Sequence, residues 1–223
     1  MKRIVAILSV LLPWTLRRHV LRMVLGYELH PTSYIGLSLV LPKRLVMGPG
    51  SRISHLNVCK GLDLIDMAEN AAIGRLNWIS GFPAPSKPGQ HFQQETERRS
   101  ELIIGANAGI TNRHLIDCTN TVTLGPFSNV GGFRCQLMTH SVEIVEGRQG
   151  SAPITLGAYS LVGTACVLLG GASLPEYSVL SASSLLNKRF DEPYMLYGGV
   201  PAKPIKSIPK EAGYFTRQTG FIV

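Results

Sequence analysis

Between Ile154 and Leu186 the apolar positions return every sixth residue: Leu156, Val162, Leu168, Leu174, Leu180 and Leu186. The fifth place of each unit holds a small or hydroxyl residue, namely Ser160, Cys166, Ala172, Ser178 and Ser184. An amphipathic helix spaces apolar residues three and four apart, and a half-buried strand alternates. A period of six fits neither. It predicts a parallel β-helix in which short strands meet at corners and each sends one aliphatic side chain to the axis. Three hexads then make one triangular coil of eighteen residues.

Upstream the pattern is weaker. Val46 opens a hexad-like unit, Val58 and Leu64 are six apart, as are Ile73 and Ile79, and Ile53 falls out of step. Ile104, Ile110 and Ile116 resume the period, and Leu124 and Val130 follow after a two-residue insertion expected near Asn120 and Thr121. Residues 80–101 break it. Pro83, Pro85 and Pro88 cannot stay in a hydrogen-bonded ladder. The polar run that follows predicts either a solvated excursion with an exposed His91 or a loop that reaches a neighbouring subunit's cleft and shapes it.

The amino end reads differently again. Residues 4–12 are apolar apart from Ser9 and fall short of the ~20 needed to span a bilayer. Pro13 and Trp14 stand where a signal peptide would carry small residues. Residues 15–25 alternate Arg17, Arg18, His19 and Arg22 with aliphatics at helical spacing, which gives one apolar and one basic face. Two expectations follow: a membrane-surface anchor, or a helical cap over the open end of the solenoid. The chain divides into this segment (1–33), the β-helix (34–190) and a proline-stiffened extension (191–223).

Composition narrows the partners. The 223 residues carry a net charge of +8 with only 16% charged side chains. There is no dense Lys/Arg run interleaved with aromatics, so nucleic acid is not the expected partner; an anionic small ligand or the cytoplasmic membrane face is. Cys59, Cys118, Cys135 and Cys166 have neither CxxC nor metal-ligand spacing, which fits buried thiols in a reducing, cytoplasmic compartment and no metal site.

Two polar clusters stand out: Thr111-Asn112-Arg113-His114 with Asp117, and Thr139-His140-Ser141. A neutral imidazole can take the proton of an alcohol nucleophile, so His140 and His114 are rival general bases. Either could instead be a corner histidine satisfied by backbone. Ser141 is adjacent in an extended chain and points away from His140, which argues against a Ser–His pair. A zinc site would need a third ligand that the spacing does not supply.

The hexads, the Thr139-His140 pair, the irregular stretch after it and the ending Gly198-Gly199-Val200-Pro201-Ala202-Lys203-Pro204-Ile205-Lys206 together resemble the hexapeptide-repeat acyltransferases, and within them the sugar O-acetyltransferases of the maltose, nodulation-factor and colanic-acid types. The resemblance covers about residues 100–206 well and 34–79 loosely. It implies an all-β, left-handed parallel β-helix, a homotrimer with sites between subunits, and acetyl-CoA as acyl donor. It implies His140 as the base, Asn112 or His114 at the acceptor sugar, and Thr164, Ala182, Asn187, Lys188, Lys203 and Lys206 along the coenzyme. The implied activity is O-acetylation of a sugar hydroxyl in bacterial surface polysaccharide or glycolipid synthesis, with a lipid-linked saccharide as one form of acceptor. N-acylation of an amino sugar is the alternative, and a carbonic-anhydrase-like or purely structural β-helix is a more distant one. Asn187 stands where the family commonly has Thr, and neither the amino-terminal segment nor the 80–101 loop belongs to its simplest members.

Overall fold

The structure, a computed structural model, describes residues 2–84 and 91–220; the 85–90 part of the proline-rich stretch lies outside the described residues, as does the extreme carboxyl end at 221–223. Short strands go in turn to three sheets, and each strand pairs in parallel with its counterpart one coil earlier and one coil later. The first sheet runs from Glu28–Leu29 through Arg44–Met47 to Ser173–Leu174, the second from Tyr34–Ile35 to Val179–Leu180, and the third from Leu39–Leu41 to Leu185–Leu186. The coil therefore begins at Glu28, before Tyr34. The second sheet also outlasts the hexads, because Met195–Gly199 pairs with Val179–Leu180 and turns back as Ala202–Ser207.

Coil length explains where the repeat was legible. Leu168 pairs with Leu186 and Val162 with Leu180, the expected eighteen residues. The first coil also has eighteen, Glu28 pairing with Val46, but two coils after it have twenty, since Leu45 pairs with Ile65 and Leu102 with Val122. The two extra residues lengthen the first-sheet strand, which then buries two side chains, as with Leu45 and Met47 or Val122 and Leu124. The inward frame at the start is Met47, Ile53, Cys59 and Ile65, all buried. Ile53 is thus in step, whereas Val46, Val58 and Leu64 sit one residue off and face outward.

The corners are built to satisfy the backbone they turn. Inside the corner between the second and third sheets, side chains cap the next coil: the Asn77 N–H donates to Asn57 Oδ1 at 2.9 Å, the His114 N–H to Asn77 Oδ1 at 2.9 Å and the Cys135 N–H to His114 Nδ1 at 3.1 Å. The corner between the first and second sheets uses left-handed residues. Phe127, Tyr159, Tyr177 and Tyr194 have φ of 58°, 55°, 51° and 59°, a conformation costing an L residue roughly 1–2 kcal/mol. Their rings stack at 4.6, 5.2 and 4.9 Å, worth about 0.5–1.5 kcal/mol per pair, so the ladder offsets part of the strain of its own turns. The chain end returns along these rings. Phe215 meets Tyr177 and Tyr194 edge-on, and the Arg217 guanidinium lies over Tyr214, Tyr159 and Phe127.

At the other end, α1 (Lys2–Leu8) and α2 (Trp14–Leu25) cover the first coil. Leu21 is buried, the Trp14 indole donates to Ser33 O at 3.0 Å, and buried Arg17 donates to Gly36 O at 2.6 Å and Ser38 O at 2.7 Å. Removing Arg17 from water lowers its pKa; its two carbonyl partners hold it where a solvated charge would not stay. The helices pack on the first coil through these contacts. Ile4, Ile7, Leu8 and Leu11 nonetheless remain exposed on the outside of the cap, and among the described residues no helix is long and apolar enough to cross a membrane.

Candidate active site

His140 stands where the third sheet turns toward the first. The strand Gln136–Met138 ends there, and the chain leaves the coil as an antiparallel hairpin, His140–Glu143 against Arg148–Ser151. Strand register stacks Met138 on Asp117 of the preceding coil, which sets Thr139 and His140 over the Asp117 carboxylate. Oδ2 of Asp117 accepts from His140 Nδ1 at 2.8 Å, from Thr139 Oγ1 at 2.7 Å and from the N–H groups of Thr139 and His140 at 3.0 and 3.2 Å. Oδ1 accepts from Thr119 Oγ1 at 2.6 Å and its N–H at 3.2 Å.

Electrostatics follow from this donor count. Burial opposes the charge on Asp117, and the hydrogen bonds from Thr119, Thr139 and His140, with the attraction of the His140 ring, outweigh it and hold the carboxyl below its ordinary range. A carboxylate that accepts at Nδ1 fixes the imidazole tautomer. Nδ1 carries the proton and Nε2 keeps its lone pair. The His140 side chain is 37% exposed and lines a cleft of about 210 Å³ with Ser80, Phe82, His91, Phe92 and Gln149. The imidazole is oriented from behind by Asp117 and open in front to the cleft.

The far wall comes from the loop that interrupts the repeat. The Phe92 ring is edge-on to His140 at 6.2 Å, and Phe82 is edge-on to His91 at 5.4 Å. Two side chains fasten the loop. Buried Arg98 donates to the carbonyls of Phe82, Thr119 and Pro83 and stacks on Phe92 at 4.5 Å. Glu95 accepts from the Ser151 N–H at 2.6 Å and from its hydroxyl. The hydrogen bonds continue through Asn120 to Thr139 and Asp117. The described part of the loop packs on its own chain's histidine through Phe92, while His91, Gln93, Gln94, Thr96, Glu97 and Arg99 are exposed. His91 is exposed, and it lines the cleft.

The other predicted residues fall at two corners. Asn112 ends the second-sheet strand Gly109–Asn112, and Thr164 and Ala182 follow Leu161–Val162 and Val179–Leu180, in line down the corner between the second and third sheets. Asn187 and Lys188 follow Leu185–Leu186, two coils beyond His140 on its own corner. Lys203 and Lys206 are exposed on the last strand. Neither Asn112 nor His114 lines the His140 cleft; Asn112 edges a separate groove of about 750 Å³ on the second sheet. His114 is only 2% exposed. Its Nδ1 accepts from Cys135, and its Nε2 donates to Thr111 Oγ1 at 2.9 Å. Burial lowers its pKa from 6.5 to about 4, so this ring is a neutral rung of the corner ladder with both nitrogens committed. Among the described residues no three His, Cys, Asp or Glu side chains gather as a metal-binding group. Asp117 was read beside His114; the coil carries it instead to His140. The aromatic wall of Phe82 and Phe92 had no sequence signal, because the loop has no period.

No protein-family model matches the sequence, and no curated protein does. Solved structures do. The polysialic acid O-acetyltransferase OatWY superposes with a TM-score of 0.61 at 15% identity, over 86% of this chain and 90% of that one. A hexapeptide-repeat-containing acetyltransferase from Vibrio cholerae gives 0.51 at 16% identity over 92% and 87%. A structure of that acetyltransferase complexed with acetyl coenzyme A gives 0.51 at 15% identity over 93% and 86%. At these identities the likeness is one of fold: three parallel sheets wound as a hexapeptide-repeat coil.

Proposed function

We propose that the chain is an acetyl-CoA-dependent O-acetyltransferase acting on a sugar hydroxyl, with His140 as general base, and that its coil is a left-handed parallel β-helix. The observation that carries this reading is the His140–Asp117 pair, whose proton-free Nε2 borders a cleft. In the step we infer, the acceptor hydroxyl gives its proton to Nε2 as its oxygen bonds to the thioester carbonyl carbon. The tetrahedral centre then expels the thiolate, breaking the C–S bond, and the imidazolium returns the proton to sulfur. Asp117 stabilises the imidazolium while it exists. General-base help of this kind is worth about 10²–10⁴-fold.

Charge and exposure support a donor site at the carboxyl end of the coil. Coenzyme A ends in phosphates, and Lys188, Lys203 and Lys206 are exposed at the carboxyl end of the coil without an ion-pair partner among the described residues. They suit phosphate as point charges. Thr164 and Ala182 would line the arm between, and Asn187 would flank Lys188. The neighbour complexed with acetyl coenzyme A supports this choice of donor.

Corner separation supports a homotrimer. The outward face of the third sheet is apolar, with Trp78, Leu115 and Leu169 exposed. Three copies that turn this face to a common axis would set the His140 corner of each against the Asn112–Thr164–Ala182 corner of the next. The exposed cap residues Ile4, Ile7, Leu8 and Leu11 support peripheral contact with the cytoplasmic membrane face, which would suit a lipid-linked acceptor in surface polysaccharide or glycolipid synthesis. The experiment is thiol release from acetyl-CoA, for wild type and His140→Ala. Release that depends on His140 supports the reading, and equal release by both overturns it.

A further inference from the structure

Beside the His140 cleft lies a second of about 400 Å³, between Gln94 on the loop and Val142 and Arg148 on the hairpin. His91, Phe92 and Gln149 line both. The two are one trough that leads outward from His140 between the loop and the hairpin. At about 30 Å³ per water, the inner part holds roughly seven waters and the outer roughly thirteen. One sugar ring suits the first, and more chain must occupy the second if the trough is to be filled.

The walls match that guest. A pyranose has an apolar face of C–H groups and an equator of hydroxyls. Phe82 is 45% exposed at the inner cleft, although it is anchored through its own carbonyl by Arg98; an aromatic ring held rigid and half open is a platform for the apolar face. Gln149 and Gln94 carry amides that donate and accept at once, as hydroxyls require. Arg148, whose Nε is paired with Glu146, adds its remaining guanidinium donors at the outer end. Arg98 and Glu95 fix this wall to the coil, so the trough is formed before any ligand enters, which limits the ordering cost of binding.

Resting on the acetyl-transfer reading above, we propose that the acceptor is a saccharide of two or more units, its reacting unit packed on Phe82 beside His140 and its next unit held between Gln94 and Arg148.

The test uses the full-length protein, acetyl-CoA, and p-nitrophenyl glucosides, galactosides and mannosides paired with their disaccharide counterparts. Thiol release and the mass of the acetylated product are followed. The expected result is a KM at least tenfold lower for the accepted disaccharide than for its monosaccharide. Gln94→Ala with Arg148→Ala should reduce that preference about tenfold, and Phe82→Leu should raise the KM of both sugars more than that of acetyl-CoA. Equal KM values for the two lengths would overturn the proposal, as would a preference that survives the double substitution. Release of thiol to water alone, dependent on His140 but with every sugar ignored, would overturn the saccharide acceptor in this proposal and in the reading it rests on, leaving only His140-dependent cleavage of acetyl-CoA. Absence of His140-dependent release would remove both.

Discussion

Replacing Asp117 by Asn keeps the shape of the side chain and deletes its charge. In the native arrangement Oδ2 accepts a hydrogen bond from His140 Nδ1 at 2.8 Å. When the ring gains a second proton, its positive charge is centred about 4 Å from the carboxylate, an attraction of about 4 kcal/mol at an effective dielectric constant near 20. Between half and all of this is present at the transition state for proton transfer, so kcat should fall about 30- to 1,000-fold at ~1.4 kcal/mol per decade. The KM for acetyl-CoA should move little, because Asp117 contacts His140 and none of the residues proposed to hold the donor. The assay is thiol release at saturating acetyl-CoA near neutral pH. A purely structural Asp117 would give losses that add to those of His140→Ala. A positioning residue gives a double variant scarcely worse than His140→Ala alone. The Asn amide presents donors to the Thr139 and His140 N–H groups, which costs about 1–3 kcal/mol of stability, so folding must be verified by thermal melting. A folded Asp117→Asn protein with kcat within threefold of wild type would refute the assignment. The carboxyl is also held below its ordinary range, so the unfolded chain takes its proton first. Its stabilising contribution is therefore complete above the ordinary carboxylate pKa of about 4 and is lost as pH falls through the lower native value.

Other perturbations separate stability from chemistry. His114 has a native pKa of about 4 against an ordinary 6.5; the unfolded chain protonates first, so stability should fall by about 3 kcal/mol as pH drops from about 6.5 to below 4. His114→Asn, matching Asn57 and Asn77 in the same ladder, should flatten that slope in urea melts at pH 7 and 4, and an unchanged slope would contradict the buried neutral ring. A Cβ at Gly170 would meet Thr139 O at 2.8 Å, so Gly170→Ala should displace the backbone next to His140 and cut kcat more than tenfold; undiminished activity would show that the corner can yield. Leu180→Ala empties an axial position and should cost about 2–5 kcal/mol, read by denaturation, with kcat retained in the folded protein. Serine at Ile4, Ile7, Leu8 and Leu11 together should abolish co-sedimentation with anionic phospholipid vesicles while leaving thiol release intact; retained binding would sink the membrane reading.

The coil was legible where coil length equals a whole number of hexads. From Leu156 to Leu186 every axial residue was read correctly, and every one is buried. Before that, coils with two additional residues shift the frame, and outward Val58 and Leu64 mimic an axial pair. His140 stood out as a Thr-His dipeptide where the repeat fails. Its partner did not, because Asp117 is twenty-three positions away and becomes a neighbour only once a coil of about twenty residues is known. The aromatic wall was illegible for another reason: Arg98 and Glu95 place it through contacts with carbonyl and hydroxyl groups that any sequence could supply.

The stacked rings of Phe127, Tyr159, Tyr177 and Tyr194 change how this molecule can come apart. A stack whose layers touch only their neighbours can fray from an end, one layer at a time. Here the last layers cannot leave singly. Arg217, beyond the final turn in sequence, reaches back over Tyr159 to Phe127, and Tyr214 bonds to Asn129 and Ser160 on those upstream layers. Releasing the outermost layer means first peeling a strap sewn across the rungs. The opposite end is closed by Arg17, which is anchored to carbonyls of the first layer. Both ends of a one-dimensional object are thus tied by contacts distant in sequence, and heat should melt it as one body instead of unravelling it.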